Sequence, residues 1–360
     1  MEKWKEKYKN GERTSAYSLI KELTSIKRKQ FPWMGRIGKT SPQYAIHNLE
    51  KAYKNFFGKR ANYPKFKKKG IKDSFVAVEN KQSFKQKDKR IWIPRLGLVK
   101  CAENLRFDGK VNNVVVKRIA DIWFACINIE TNDTPNISKS QTILGVDLGI
   151  KYLAVISDGA YFKNPKALER NLRLLKRRQQ SLCRKKKGSN NRGKAQMKIA
   201  RLYYKISCIR RNSLHEVSRY IVNNANKIVL EDLNVKGMIK NKKLSRSLND
   251  VSFGELRRQI QYKANWEGKE VIVADRFFPS SKTCCICGAI KENLKLSTRI
   301  YKCDCGNNIC RDLNSAINLA NYGITQKSWE SKASGVGSSF DFQSSLTMKE
   351  EMFLFKNKET

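Results

Sequence analysis

Histidine is nearly missing from this chain: among 360 residues only His47 and His215 are histidine. A His-centred triad or a His-rich metal site is hard to build from two, so acid–base and metal chemistry falls to carboxylates and cysteines. Long apolar runs are missing as well. No stretch reaches the roughly 20 apolar residues that a spanning helix needs, which argues against a membrane partner. The opening Met1-Glu-Lys-Trp-Lys-Glu-Lys is charged and has no apolar segment behind it, unlike a secretory signal. Acids are scarce relative to bases. Lys and Arg number 74, Asp and Glu 32, for a formal net charge of +42. A surplus of that size attracts polyanions. Nucleic acid is the partner it suits, since each cation set beside a phosphate releases a counterion. A cytoplasmic, nucleoid-associated location is expected.

Cysteine is plentiful, ten residues in all, six of them between 284 and 310. Without a secretory signal such a cluster reads as metal-binding rather than disulfide. Cys284-Cys-Ile-Cys287-Gly and Tyr301-Lys-Cys303-Asp-Cys305-Gly are two close pairs, each followed by glycine, the pattern of a four-cysteine zinc ribbon. The glycines let backbone amides turn back toward the thiolates. Cys284, Cys287, Cys303 and Cys305 are the expected ligands of a structural Zn2+, because four thiolates leave no open position for water. The second pair is spaced C-x-C instead of C-x-x-C, and Cys285 and Cys310 are spare thiols able to substitute. Cys101, Cys126, Cys183 and Cys208 are scattered and read as ordinary thiols.

The chain divides by composition. Residues 1–70 are basic with apolar residues at helical spacing, interrupted near Pro32 and Pro42. Residues 73–135 change to strand-length apolar segments, among them Arg90-Ile-Trp-Ile and Ile122-Trp-Phe-Ala-Cys-Ile. Residues 131–141 read as a linker. From Thr142 onward strands and helices mix: strands at 143–149, 152–157, 227–233 and 270–274, and a helical hairpin over 165–226 broken by the basic tip 184–193. A helix over 253–267 and a last one over 312–322 complete the unit. The expected class is α/β and α+β multidomain. Domains are expected at 1–141, at 142–322 with the ribbon at 278–311, and at 323–360 as a disordered tail.

Three acids stand where acids are uncommon. Asp147 and Glu231 end apolar strands, and Asp312 opens a helix directly after the cysteines. Burying a carboxylate is costly unless it is paired or metal-bound. An acid at a strand end is ordinarily a cap or turn residue; three of them in one basic chain form a set. Converging, they would hold Mg2+ or Mn2+ for two-metal phosphodiester chemistry. Asp232 points to the opposite face if its strand continues. Asp304 in the cysteine segment, and Asp250 and Asp275 in expected loops, are weaker candidates.

These residues together resemble the OrfB/TnpB family of insertion-sequence-encoded proteins, relatives of the type V CRISPR effectors. The resemblance rests on Gly145-Val-Asp-Leu-Gly-Ile-Lys-Tyr-Leu-Ala-Val, Ile228-Val-Leu-Glu-Asp-Leu-Asn, Phe278-Pro-Ser-Ser-Lys-Thr-Cys-Cys-Ile-Cys-Gly and Cys310-Arg-Asp-Leu-Asn-Ser-Ala-Ile-Asn-Leu. It spans about residues 142–322. It implies an RNase H-like (RuvC-like) nuclease domain with an inserted four-cysteine zinc ribbon, preceded by a helical and β-barrel recognition region. It also implies a guide RNA from the element's own locus and cleavage of double-stranded DNA that matches the guide. Asp147, Glu231 and Asp312 fall on the family's catalytic positions. Arg299 falls on a basic position ahead of the second cysteine pair, where it either steadies the scissile phosphate or is simply one of the 74 cationic residues. Two departures stand out. An extra strand and helix at the family's N-terminus have no counterpart, so a shortened recognition region is expected. Cys310 stands where the family commonly has an acid.

Two other functions compete with nuclease activity. A guided DNA-binding protein that does not cut would be marked by loss of an acid, and none is lost. A transposase joining strands through a covalent protein–DNA bond would need a Tyr or Ser nucleophile with supporting residues, and no such constellation stands out.

Overall fold

The computed structural model describes residues 1–67, 70, 73–78, 86–87, 89–131, 142–295, 297–330 and 348–354. Two units result. One takes the described residues up to Thr131 together with Met348–Leu354; the other takes those from Thr142 to Glu330.

The first unit opens with α1 (Glu2–Lys9), α2 (Ala16–Gln30), a 3-10 turn Pro32–Arg36 and α3 (Thr40–Phe57). Ser15 caps α2, its hydroxyl accepting from the Ser18 N–H at 3.2 Å, as short polar side chains do at helix starts. Pro32 does interrupt the helical run. Pro42 does not: it sits in the first turn of α3, where a missing N–H costs nothing. Trp4 stacks on Tyr53 with ring centroids 5.2 Å apart, and these two with Leu19 form the helices' small core. The β region consists of two antiparallel sheets. β1 (Ser74–Ala77) pairs with β5 (Lys110–Ile119), β5 with β6 (Ile122–Glu130), and β6 with the strand Met348–Leu354. The smaller sheet joins β2 (Gln86–Lys87), β3 (Arg90–Ile93) and β4 (Gly97–Lys100). Of the tail expected to be disordered, 323–330 continue a helix and 348–354 form this added strand, whereas 331–347 and 355–360 lie outside the described residues. Most of the expected linker, 132–141, lies outside them as well.

The second unit is built on one sheet. β7 (Ile143–Asp147), β8 (Tyr152–Ile156) and β9 (Tyr161–Lys163) run as an antiparallel meander. Then α4 (Ala167–Cys183) and α5 (Asn190–Asn224) cross over to β10 (Lys227–Leu230), which lies parallel to β7. A second crossover through α6 (Val235–Ile239), α7 (Ser245–Val251) and α8 (Phe253–Trp266) leads to β11 (Glu270–Val273), parallel to β10. The order is β11-β10-β7-β8-β9. A two-stranded ribbon, β12 (Ile300–Lys302) and β13 (Asn308–Cys310), precedes α9 (Arg311–Glu330).

Alternation along the strands decides which helix each residue meets. Ile228 and Leu230 of β10 join the core with Leu214, Ile221, Leu256 and Ile260 of α5 and α8, whereas Val229 between them joins Leu319 of α9 on the other face. On β7, Leu144 and Val146 face α5 and α8, and Gly145 faces α9. Asp147 and Glu231 continue the α9-facing parity on adjacent parallel strands, one residue beyond the Val146–Leu230 pair. The sheet thus delivers both carboxylates to one side at its C-terminal edge, where open α/β sheets bind ligands.

Candidate active site and metal centre

The approach of α9 to β7 is what closes the site. A β-carbon built on Gly145 would lie 2.0 Å from the Ala316 carbonyl oxygen and 2.4 Å from the Ala320 nitrogen. Only glycine lets these two backbones meet. With them in contact, the first turn of α9 lies over the ends of β7 and β10. Asp312 and Ser315, three residues apart, share one helix face.

Ser315 is 1% exposed. Its Oγ lies 3.0 Å from Asp147 Oδ1, 3.4 Å from Glu231 Oε1 and 3.0 Å from Ser280 Oγ. Ser280, also buried, donates to Glu231 Oε1 at 2.7 Å. One hydroxyl has one proton, so the arrangement gives each carboxylate its own donor: Ser315 to Asp147 and Ser280 to Glu231. Burial pushes the Asp147 carboxyl well above the ordinary carboxylate range, and the charges of Glu231 and Asp312 push it further; the Ser315 hydroxyl and Arg311 act the other way. Glu231 is raised too, mainly by burial, against the hydroxyls of Ser280 and Ser315 and the charge of Arg311. Carboxylates gathered in a half-buried cleft, one of them raised by the charge of the other two, are a donor set suited to a divalent cation.

Arg299 comes to the same place. Its Nη1 lies 4.0 Å from Asp312 Oδ1, and its carbonyl accepts from the Arg311 N–H at 2.9 Å. The strand ends at Leu230, so alternation does not extend to Asp232, which lines the same cavity as Glu231 and is held by Arg257 at 3.2 Å and by Arg276. Asp250 is not in a loop. It is buried on α7, accepting from the Leu168 N–H at the start of α4 at 2.9 Å and pairing with Arg210 at 2.6 Å. It is a helix cap and ion pair remote from the chemistry.

The sulfurs of Cys284, Cys287, Cys303 and Cys305 all lie within 4.8 Å of one another. The Cys284–Cys305 and Cys287–Cys303 separations are 3.7 and 3.6 Å, near the ~3.8 Å edge of a tetrahedron with Zn–S bonds of about 2.3 Å. Gly288 and Gly306 take φ of 75° and 89°, the left-handed turns that each pair requires. Burial opposes ionisation of Cys284, but amide hydrogen bonds from Cys287 and Ile286 and one from Asn307 bring it down to about 6. Cys305 accepts an amide hydrogen bond from Asn307, yet burial and the three neighbouring thiols push it up to about 12. Four crowded thiols cannot all ionise by themselves; a bound divalent cation removes that conflict. Neither Cys285 nor Cys310 belongs to the quartet. Asn314 and Asn318 of α9, both buried, donate to the Thr283 carbonyl at 2.6 and 2.7 Å, and Asn318 also to that of Ser280 at 2.8 Å. The helix that carries Asp312 therefore also anchors the base of the cysteine cluster.

Sequence reasoning missed Ser280 and Ser315. The available signal was their position: Ser315 falls one turn after Asp312, and Ser280 falls four residues before the first cysteine. It named the basic tip of the helical hairpin but missed how far the charge runs along both helices. From Arg170 to His215, 46 residues carry sixteen Lys or Arg and no Asp or Glu.

Residues 126–242 match the family OrfB_IS605, described as "Probable transposase", and residues 253–319 match the Cas12f1-like TNB domain. A Streptomyces pristinaespiralis protein named "Putative RNA-guided DNA endonuclease" is 33% identical over 323 residues, covering 88% of this chain and 80% of that protein. InsQ of Escherichia coli K12, named likewise, is 34% identical over 293 residues, covering 77% and 72%. The CRISPR-associated endodeoxyribonuclease Cas12f1 of Sulfoacidibacillus thermotolerans is 30% identical over 215 residues, covering 55% and 50%. In fold, the chain aligns with Cas12f1 from a cryo-EM complex with sgRNA and target DNA at a TM-score of 0.54 and 17% identity, over 88% of this chain and 77% of that one.

Proposed function

The chain belongs to the OrfB/TnpB family of insertion-sequence-encoded proteins, and from that premise we propose that it is an RNA-guided DNA endonuclease dependent on Mg2+ or Mn2+. The second unit is read as an RNase H-like, RuvC-like nuclease carrying a structural zinc ribbon. The first unit is read as the recognition region for guide RNA and target. The observation that carries the reading is the convergence of Asp147 and Glu231 on Ser315, one helical turn from Asp312.

Asp147, Glu231 and Asp312 would hold the divalent ions, which when bound activate the attacking water and neutralise charge on the phosphodiester. The protein's own residues do the rest. Ser315 and Ser280 fix the orientation of the two carboxylates from the buried side. Arg299, exposed and beside Asp312, steadies the scissile phosphate. The hairpin's sixteen cations, of which Arg210 pairs with Asp250, suit a polyanion held by its backbone, while base pairing with a guide reads sequence. The four thiolates hold Zn2+ and serve folding. Among the described residues no helix is long and apolar enough to cross a membrane, and a DNA target implies a nucleoid-associated location.

The test is purification with co-expressed RNA from the chain's own locus, sequencing of the bound RNA, and incubation with a matched plasmid in Mg2+. A discrete bound RNA, cleavage by the native complex and none by Asp147→Ala are expected. Equal plasmid loss in both samples removes the nuclease assignment, and absence of a discrete RNA removes the guided one. Zinc analysis is expected to give one Zn per chain; well under one removes the ribbon.

A further inference from the structure

Residues 275–280 carry two adjacent phenylalanines with opposite fates. Phe278 turns inward and packs on Tyr322, ring centroids 4.9 Å apart. Phe277 turns outward and is 87% exposed, the most exposed large apolar side chain among the described residues. A lone exposed apolar side chain is ordinary on a protein surface. This one is held out by a built turn. Its N–H donates to Asp275 Oδ1 at 2.8 Å, and the Phe278 N–H donates to the Asp275 carbonyl at 3.1 Å. Arg276, just before it, is anchored to Asp232, whose other oxygen is held by Arg257 at 3.2 Å. Pro279 follows and restricts the backbone on the far side.

The ring also has an address. Phe277, Ser280 and Glu231 line one cavity of about 330 Å³, together with the exposed Lys282. Ser280 lies three residues beyond Phe277, so their Cα atoms are at most ~11 Å apart, and Ser280 Oγ is bonded to Glu231. An aromatic face kept in water in the cavity that Glu231 lines can do what neither acids nor cations can, which is to hold a base. Stacking tolerates any sequence, because every base has a π face, but it needs a base whose own faces are free. In a duplex those faces are covered by neighbouring pairs.

We infer that Phe277 is a stacking platform for one unpaired base of the DNA strand entering the site, and that it sets which phosphodiester meets Asp147, Glu231 and Asp312. The inference rests on the nuclease reading above. It goes further by naming the residue that holds the strand there.

The experiment uses the full chain with its co-purified RNA. In single-turnover cleavage of a matched target, Phe277→Ala is expected to lower the rate constant by about tenfold, the size of one lost stacking contact. Target affinity, Mn2+ binding and melting temperature stay at native values. Phe277→Trp is expected to restore the rate and Phe277→Leu, apolar but without a π face, is not. Independently of cutting, 2-aminopurine is placed at successive positions of the displaced strand in complexes carrying Asp147→Ala. Quenching is expected at one position, and Phe277→Ala is expected to abolish it. Native cleavage rates for both Phe277→Ala and Phe277→Leu, or quenching that survives Phe277→Ala, overturn the inference. Loss of native cleavage altogether counts against the nuclease reading instead, and the quenching arm still decides the platform.

Discussion

Gly145 of β7 and Ala316 of α9 meet backbone to backbone: a β-carbon on Gly145 would stand 2.0 Å from the Ala316 carbonyl oxygen. The contact is with main chain, so no flexible side chain can swing away. Gly145→Ala must push α9 off the sheet, and α9 carries Asp312, Ser315, Asn314 and Asn318. Overpacking of this kind costs about 3 kcal/mol. Chemical denaturation is expected to show that loss, and cleavage to fall with it, because Asp312 and Ser315 move away from Asp147 together.

The raised carboxyls predict how stability varies with pH. In the folded chain Asp147 is held well above its ordinary value, and Glu231 is raised as well, both mainly by burial. A carboxyl with a raised folded pKa keeps protons that the unfolded chain gives up. Its stabilising contribution is present below the unfolded value and is lost as pH rises through the folded value. In zinc-replete buffer without Mg2+ or Mn2+, melting temperature is expected to fall from pH 5 to pH 8. Asp147→Asn is expected to flatten the fall and to melt higher than the native chain at pH 8, by about 2–4 °C per kcal/mol recovered. Added Mg2+ is expected to raise the native chain and to leave Asp147→Asn nearly unmoved.

Ser315 is where the hydroxyl link between the two acids can be cut. Ser315→Ala removes the donor at 3.0 Å from Asp147 Oδ1 and leaves a half-buried carboxylate without it. Hydrogen bonds to charged groups contribute about 1.5–3 kcal/mol, and here the loss falls on the ionised form that binds metal. The half-saturating Mg2+ concentration for cleavage is expected to rise about tenfold or more, with target binding unchanged. Mn2+ titration monitored by calorimetry is expected to show the same weakening. An unchanged Mn2+ isotherm would deny Ser315 this positioning role.

Much of this site was legible from sequence, and for a physical reason. The parity of Ile228, Val229 and Leu230 places Glu231 on the side opposite Ile228 and Leu230, and the same parity from Leu144 to Val146 places Asp147 there as well. The cysteine spacing and its two glycines named a quartet whose sulfurs do cluster. What was illegible depends on how α9 meets the sheet. The last helix is expected over 312–322. It runs on to Glu330, because Gly323 serves close packing: a β-carbon there would lie 2.6 Å from Val229 Cγ2. Serines in a helix and a turn carry only a positional signal until that packing is known, so the roles of Ser315 and Ser280 stay hidden in the sequence. Asp250 was read as a loop acid because α7 is only seven residues long, too short for its periodicity to register.

The helical hairpin gives the last prediction. Its tip is tied down: Arg192 Nη1 donates to the carbonyls of Leu182 and Lys185, each at 3.0 Å, and Ser189 caps α5. Between α4 and α5 lies a cleft of about 660 Å³ with Leu174 and Leu202 in its lining alongside Arg177, Lys198 and Lys205. No acid occurs between Glu169 and Glu216 to offset these cations, so the hairpin holds like charges close together and a polyanion relieves the repulsion. If these cations contact phosphates, each contributes a slope of about −0.9 to the dependence of log affinity on log salt for duplex DNA. Replacing Arg177, Lys198 and Lys205 together by Gln is expected to make that slope shallower by about 2–3, and to weaken binding most at low salt. Zinc content and Mn2+ binding are expected to stay native, because no zinc or Mg2+ ligand lies in the hairpin. Fluorescence anisotropy of a labelled duplex across a salt series measures the slope directly. An unchanged slope would make the hairpin's charge a solvated face and move the phosphate contacts elsewhere on the chain.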